Sequence, residues 1–226
     1  MTETLLLAAI LIPCLIVAIV FHEVAHGWTA LALGDPTAKE QRRLSLNPIR
    51  HVDPVGTLLV PGALALFGGP IFGWAKPVPV RGDRLRDPRF GMVAVAAAGP
   101  GTNLVLALVG ALLFGAISGA IVAGGGMPPE WLITAGSMFI LINVFLALFN
   151  LLPIPPFDGS HIVEGLLPRS WAVYWNKLQQ VGMILFVVLI AVVWVFPDTG
   201  IISNTIGPPV EWMLDQFLRL ADWVAG

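Results

Sequence analysis

The chain has 226 residues, 57% of them hydrophobic and 12% charged, with a formal net charge of -2. A charged share about half that of a soluble domain, spread around several long apolar runs, excludes a soluble fold and points to an all-α polytopic membrane protein, a single domain over residues 1–226. The small negative charge, with basic residues only in short loop clusters, excludes nucleic acid as a partner and leaves the lipid bilayer.

The opening Met-Thr-Glu-Thr lacks the basic region of a signal peptide, so the first apolar run is expected to persist as a span. That run, Leu5 to about Leu33, reads as one helix stopped by Gly34-Asp35-Pro36. Cys14 lies within it, has no partner for an internal disulfide, and is assigned to packing. The next loop, Asp35 to Asp53, carries Lys39, Arg42, Arg43 and Arg50 and is expected in the cytoplasm by the positive-inside rule.

Pro54 to Trp74 is apolar but interrupted by Pro61-Gly62 and Gly68-Gly69-Pro70, and both its flanks are basic, so it is read as re-entrant. From Lys76 to Val80, alternating prolines forbid a helix and predict a short extended edge. Gly91 to about Val122 is the next span, with Gly99-Pro100-Gly101-Thr102-Asn103 near its start and Gly110, Gly115 and Gly119 where a neighbouring helix can approach closely. Trp131 to Leu152 is a third, and Gly182 to Phe196 a fourth. The tail from Pro209 is amphipathic and is expected to lie in the interface, with a weak final span as the alternative.

Chemistry concentrates at His22-Glu23-Val24-Ala25-His26. Histidines four apart share one helical face, so His22 and His26 can offer two ring nitrogens to one metal ion, with Glu23 beside them as general base for an activated water. Such pairs are common accidents on soluble helices. Here the pair follows a run without charge from Leu5 to Phe21, and ionisable groups at membrane depth are costly and functional by default. His22 lies about 26 Å along the helix from Leu5, near the far end of a hydrocarbon core of about 30 Å.

A catalytic zinc needs a third protein ligand. Asp158 is the only acidic residue between Glu130 and Glu164 and is the candidate, although it could also cap the short helix that starts near Ser160. His161 ranks below it as a ligand, and His51, in a loop beside Asp53, is expected to face solvent. If Asp158 joins the histidines, the first span and the span before Asp158 must end on one side, which again requires a re-entrant segment at Pro54 to Trp74.

With HEVAHG, the GPGTN at Gly99 and NLLPIPPFDG from Asn150 to Gly159, the chain resembles the site-2 protease family of intramembrane zinc metallopeptidases, in its minimal form without PDZ or CBS domains. The resemblance implies one Zn2+ on His22, His26 and Asp158, Glu23 as catalytic base, and Asn150 holding the scissile carbonyl. It further implies a membrane-protein substrate cut in or near a transmembrane segment, by a multi-pass cell-membrane enzyme; the basic loops place its active site toward the cytoplasmic side. The extended Lys76 to Val80 edge could take the unwound substrate by strand addition. Asn103 is assigned to packing around the site. A metal-ion transporter using the same His/Asp cluster is the alternative; it would need neither Glu23 nor Asn150.

Overall fold

The computed structural model describes residues 2–59, 75–196, 200 and 204–226. Helix α1 (Thr2–Ala32) is followed by a helical turn, α2 (Thr37–Glu40), and by short 3-10 helices at Pro48–His51 and Gly82–Arg84. Then come α3 (Pro88–Ala123), α4 (Glu130–Asn150), α5 (Asp158–Leu166), α6 (Arg169–Gln180), α7 (Gly182–Val195) and α8 (Gly207–Ala225). Among the described residues there is no strand. Residues 76–80 form an irregular stretch whose backbone bonds to other loops and to side chains. Most of the expected re-entrant segment, residues 60–74, lies outside the described residues; its start, Pro54–Leu59, is a short π-helix.

Local chemistry sets the boundaries. α1 ends where Gly34 takes φ +113°, a conformation only glycine reaches without strain, and the amide of Asp35 closes the turn on Ala30 O at 2.9 Å. α3 begins at Pro88 behind Asp87, whose carboxylate accepts the amides of Arg89 and Phe90 at 3.0 and 3.1 Å.

Three helices are long and apolar enough to cross a membrane among the described residues: Leu5–Ala32 within α1, α3 and α4. The fourth expected span, Gly182 to Phe196, forms as α7 (Gly182–Val195), whose 14 residues reach about 21 Å against a core of about 30 Å.

α3 is the central element, touching α1, α4, α5 and α8. Pairing His26 with Val95, and His22 and Ala18 with Asn103, runs α3 antiparallel to α1; pairing Asn103 with Asn143 runs it antiparallel to α4. α1 and α4 therefore end together, where α5 begins. At the opposite side of the bundle Ala107, Ala111, Ile140, Val144, Val210 and Ala221 form the core of α3, α4 and α8. There the expected close approach occurs: a Cβ on Gly119 would lie 2.6 Å from Ala225 O, and one on Gly115 would collide with Ala221 O. The tail helix α8 is thus packed against two spans, with Trp212 and Trp223 exposed on its outer face.

The loops on either side of residues 60–74 meet at the α1 C-terminus. Lys76 N–H reaches His51 O at 2.8 Å, Arg86 N–H reaches Leu33 O at 3.0 Å, and Arg84 pairs with Glu40 at 3.0 Å. Both loops therefore belong to one end of the bundle. In a Cys14→Ser background, Lys39→Cys and, separately, Asp83→Cys are expected to react with a membrane-impermeant maleimide from the same face of sealed vesicles. Labelling from opposite faces contradicts this arrangement.

Candidate metal centre

α1 delivers His22 and His26 to the junction of α3 and α5. Both are buried, at 7% and 9% exposure, with their rings edge to face and centroids 4.7 Å apart. The opposing wall of α3 is Gly99, where a Cβ would lie 2.5 Å from His26 Nε2 and 2.6 Å from His22 Nε2. Any side chain there would occupy the metal position, which gives the first glycine of GPGTN a physical reason.

Each imidazole is oriented through its other nitrogen. His26 Nδ1 lies 2.7 Å from Val95 O, which can only accept, so Nδ1 carries the proton. His22 Nδ1 lies 2.6 Å from Asn103 Oδ1. The Asn103 amide donates to Ala18 O at 3.1 Å and to Asn143 Oδ1 at 2.9 Å, and Asn143 in turn donates to Phe139 O at 2.8 Å. This chain fixes the Asn103 amide so that its oxygen faces His22, and His22 also is protonated on Nδ1. Both Nε2 lone pairs point into the site. Asn103, fully buried, is therefore more than packing.

Asp158 opens α5 as its first residue; the N-cap position is Phe157, which makes no side-chain cap bond. Asp158 Oδ2 lies 3.1 Å from His22 Nε2 and 3.4 Å from His26 Nε2 and has no hydrogen-bond partner among the described residues. Three lone pairs meeting in a buried place repel unless positive charge lies between them. Protons on the rings are one source: burial pushes the Asp158 carboxyl up, and two imidazolium neighbours would outweigh that and hold it well below the carboxylate range. A metal ion is the other. Ligand atoms about 2.05 Å from a tetrahedral zinc lie about 3.3 Å apart, close to the two spacings seen, and all three donor atoms fall within 4.8 Å of one another. Two neutral nitrogens plus one carboxylate oxygen, with a position left for water, suit zinc.

Glu23 and Asn150 line the same cleft, of about 410 Å³, together with Val78 and Pro156. Glu23 Oε2 accepts the backbone N–H of Val78 at 2.8 Å. One Asn150 amide proton returns to Leu146 O of its own helix at 2.9 Å, and the amide has a second to offer. His161 reaches the rim but is engaged with Gln179 at 3.3 Å and Glu164 at 3.5 Å. It is not part of the metal cluster. His51, expected in solvent, is instead buried at 3% exposure, with Nε2 donating to Ser45 O at 2.7 Å. A further buried group is Asp35, which accepts the amides of Thr37 at 3.0 Å and Arg81 at 2.6 Å and also the Thr37 hydroxyl. Burial pushes its carboxyl up, but these donors and the Arg84 charge outweigh burial and hold it below its ordinary value.

Comparison with known proteins points to zinc metalloprotease chemistry. The model of peptidase family M50 matches residues 120–193, a stretch holding Asn150 and Asp158. A Bacillus subtilis protein named "Putative zinc metalloprotease YwhC" is 39% identical over 215 residues, covering 93% of this chain and 90% of that protein. The chain belongs to peptidase family M50. Two more relatives carry the same zinc metalloprotease name: Rip2 of Mycolicibacterium smegmatis, 28% identical over 83% of this chain and 73% of its own length, and MJ0611 of Methanocaldococcus jannaschii, 30% identical over 74% of each. No solved structure matches. This M50 chain is a metalloprotease and a membrane protein, which sets aside the transporter reading.

The Asn103 contact generates a prediction. Removing an outer partner of a metal-bound histidine typically costs tenfold to a hundredfold in metal affinity. Asn103→Ala is expected to weaken zinc binding by about that factor, measured by chelator competition on detergent-purified protein, whereas Asn103→Asp retains an acceptor for Nδ1–H and binds more tightly than the alanine variant. Equal affinity in wild type and Asn103→Ala would return Asn103 to packing.

Proposed function

We propose that the chain is an intramembrane zinc endopeptidase that hydrolyses peptide bonds in or beside transmembrane segments of other membrane proteins. The observation that carries this reading is the convergence of His22, His26 and Asp158, with Glu23 and Asn150 in one cleft, at the end of two helices apolar enough to cross a bilayer. Zinc held by the three residues would lower the pKa of a water to about 7 and polarise the scissile carbonyl.

The remaining work falls to the chain itself. Glu23 takes a proton from the attacking water as the new C–O bond forms, then gives it to the leaving nitrogen as the C–N bond breaks, so that proton and charge balance. The second amide proton of Asn150 donates to the oxygen on which negative charge develops. A transmembrane helix has its amides bonded internally, so the substrate is unwound before it enters.

The metal end also collects Lys39, Arg42, Arg50, Lys76, Arg81, Arg84, Arg86 and Arg89, a charge bias that supports a cytoplasmic orientation. The maleimide labelling described above reports the side directly.

Reconstituted with a substrate bearing one transmembrane segment, Glu23→Gln is expected to keep its zinc and lose turnover by a factor of about a hundred to ten thousand. Asn150→Ala is expected to keep zinc and fold and to lose about a hundredfold to a thousandfold. Cleavage by Glu23→Gln at a rate near wild type would refute the general-base role. Cleavage by Asn150→Ala near wild type would reduce that residue to its helix contact.

A further inference from the structure

The alternating prolines of Lys76-Pro77-Val78-Pro79-Val80 have a consequence at the reacting centre. Proline has no N–H, so between Pro77 and Pro79 the backbone offers one donor, that of Val78. That amide is the one 2.8 Å from Glu23 Oε2. We propose that the Val78 backbone N–H is the positioning group for Glu23, a charge-assisted bond that fixes the carboxylate with Oε2 occupied and Oε1 turned to the substrate's water. The inference rests on the reading of Glu23 as the base.

The surroundings are built to hold this one amide in place. Before it, the Arg43 guanidinium, 8% exposed, donates to Lys76 O at 2.6 Å, to Pro77 O at 3.3 Å and to Arg50 O. Lys76 N–H is tied to His51 O. After it, Arg81 N–H is held by buried Asp35. From below, Gly27 lies four residues beyond Glu23 on the same face of α1, and a Cβ there would stand 2.8 Å from Val78 Cγ1 and 3.2 Å from Ala38 Cβ. A side chain at Gly27 would press on the tips of Leu44 and Val78, so the glycine gives the stretch room to settle onto α1 with its amide at Glu23. The stretch is anchored at both ends and seated at its centre. Lys76 O, Pro77 O and the amides of Lys76 and Val78 are all spent within the protein.

Two changes delete this hydrogen. Replacing Val78 by its α-hydroxy acid, which makes the Pro77–Val78 link an ester, keeps side chain and backbone angles, whereas Val78→Pro also removes the valine side chain and sets a ring carbon towards Glu23. Val78→Ala keeps the N–H and trims the side chain. The expected result is that both N–H-deleting forms keep zinc and lower kcat about tenfold to a hundredfold below Val78→Ala, as a small misplacement of a catalytic group does, with KM within about twofold. In a Glu23→Gln background, deleting the N–H should cost nothing further.

A second readout needs neither zinc nor turnover. In metal-free chain labelled with 15N-valine, the Val78 amide proton, assigned by its loss in Val78→Ala, should lie downfield and move upfield in Glu23→Ala. A kcat for the ester form equal to that of Val78→Ala, or an amide shift unmoved by Glu23→Ala, overturns the proposal while leaving the base reading intact. Wild-type turnover in Glu23→Gln overturns the base reading itself, and the two failures are thereby distinct.

Discussion

Two imidazole nitrogens and a carboxylate oxygen, all directed at one buried point, form an arrangement whose lone pairs repel unless a metal ion or ring protons lie between them. Burying an unpaired ionised group costs several kcal/mol even after relaxation, and here the groups would repel each other as well. What makes the arrangement persist is the fixing of both rings from behind. His26 is held by a carbonyl of α3, and His22 by the amide chain from Asn103 to Asn143. A buried donor or acceptor left without its partner costs about 1–3 kcal/mol, so each link resists rotation of the ring it supports.

The rest of the fold serves that point. α3 must start at the metal end and run away from it, because it supplies Val95, Gly99 and Asn103 in succession to residues of α1 read in reverse. α4 must return to the same end so that Asn150 and Asp158 arrive with it. The basic loops then have two duties. Their exposed side chains gather positive charge at one end, while Arg43 and Asp35 are withdrawn from solvent to clamp the stretch that meets Glu23. The surroundings of Glu23 are in this sense held from the loop side.

Residues whose role depends on spacing within one helix were legible in the sequence. His22, Glu23 and His26 follow from the helical period, and Asp158 from the scarcity of other carboxylates within reach. The three long spans and the packed glycines of α3 follow from hydropathy and residue size. Roles set by partners far along the chain were not legible. Asn103 reads as packing until α1, 81 residues earlier, is laid against it. Arg43 counts as a loop charge until the carbonyls of residues 76 and 77 are brought to it, and His51 reads as exposed until the loop from Ser45 folds over it. Extended backbone was visible in the prolines from Pro77 to Pro79, but not that its one free amide would be taken by Glu23. The last apolar helix was legible too, its expected bounds of Gly182 to Phe196 differing from the observed helix by one residue.

The central claim is that His22, His26 and Asp158 hold one metal ion together. It is tested most directly by the zinc content of purified full-length protein, wild type beside Asp158→Ala, with folding checked by thermal unfolding in the metal-free state. The account predicts one zinc per wild-type chain and loss of most of it in Asp158→Ala at equal zinc supply. Full zinc occupancy in a folded Asp158→Ala protein would contradict it.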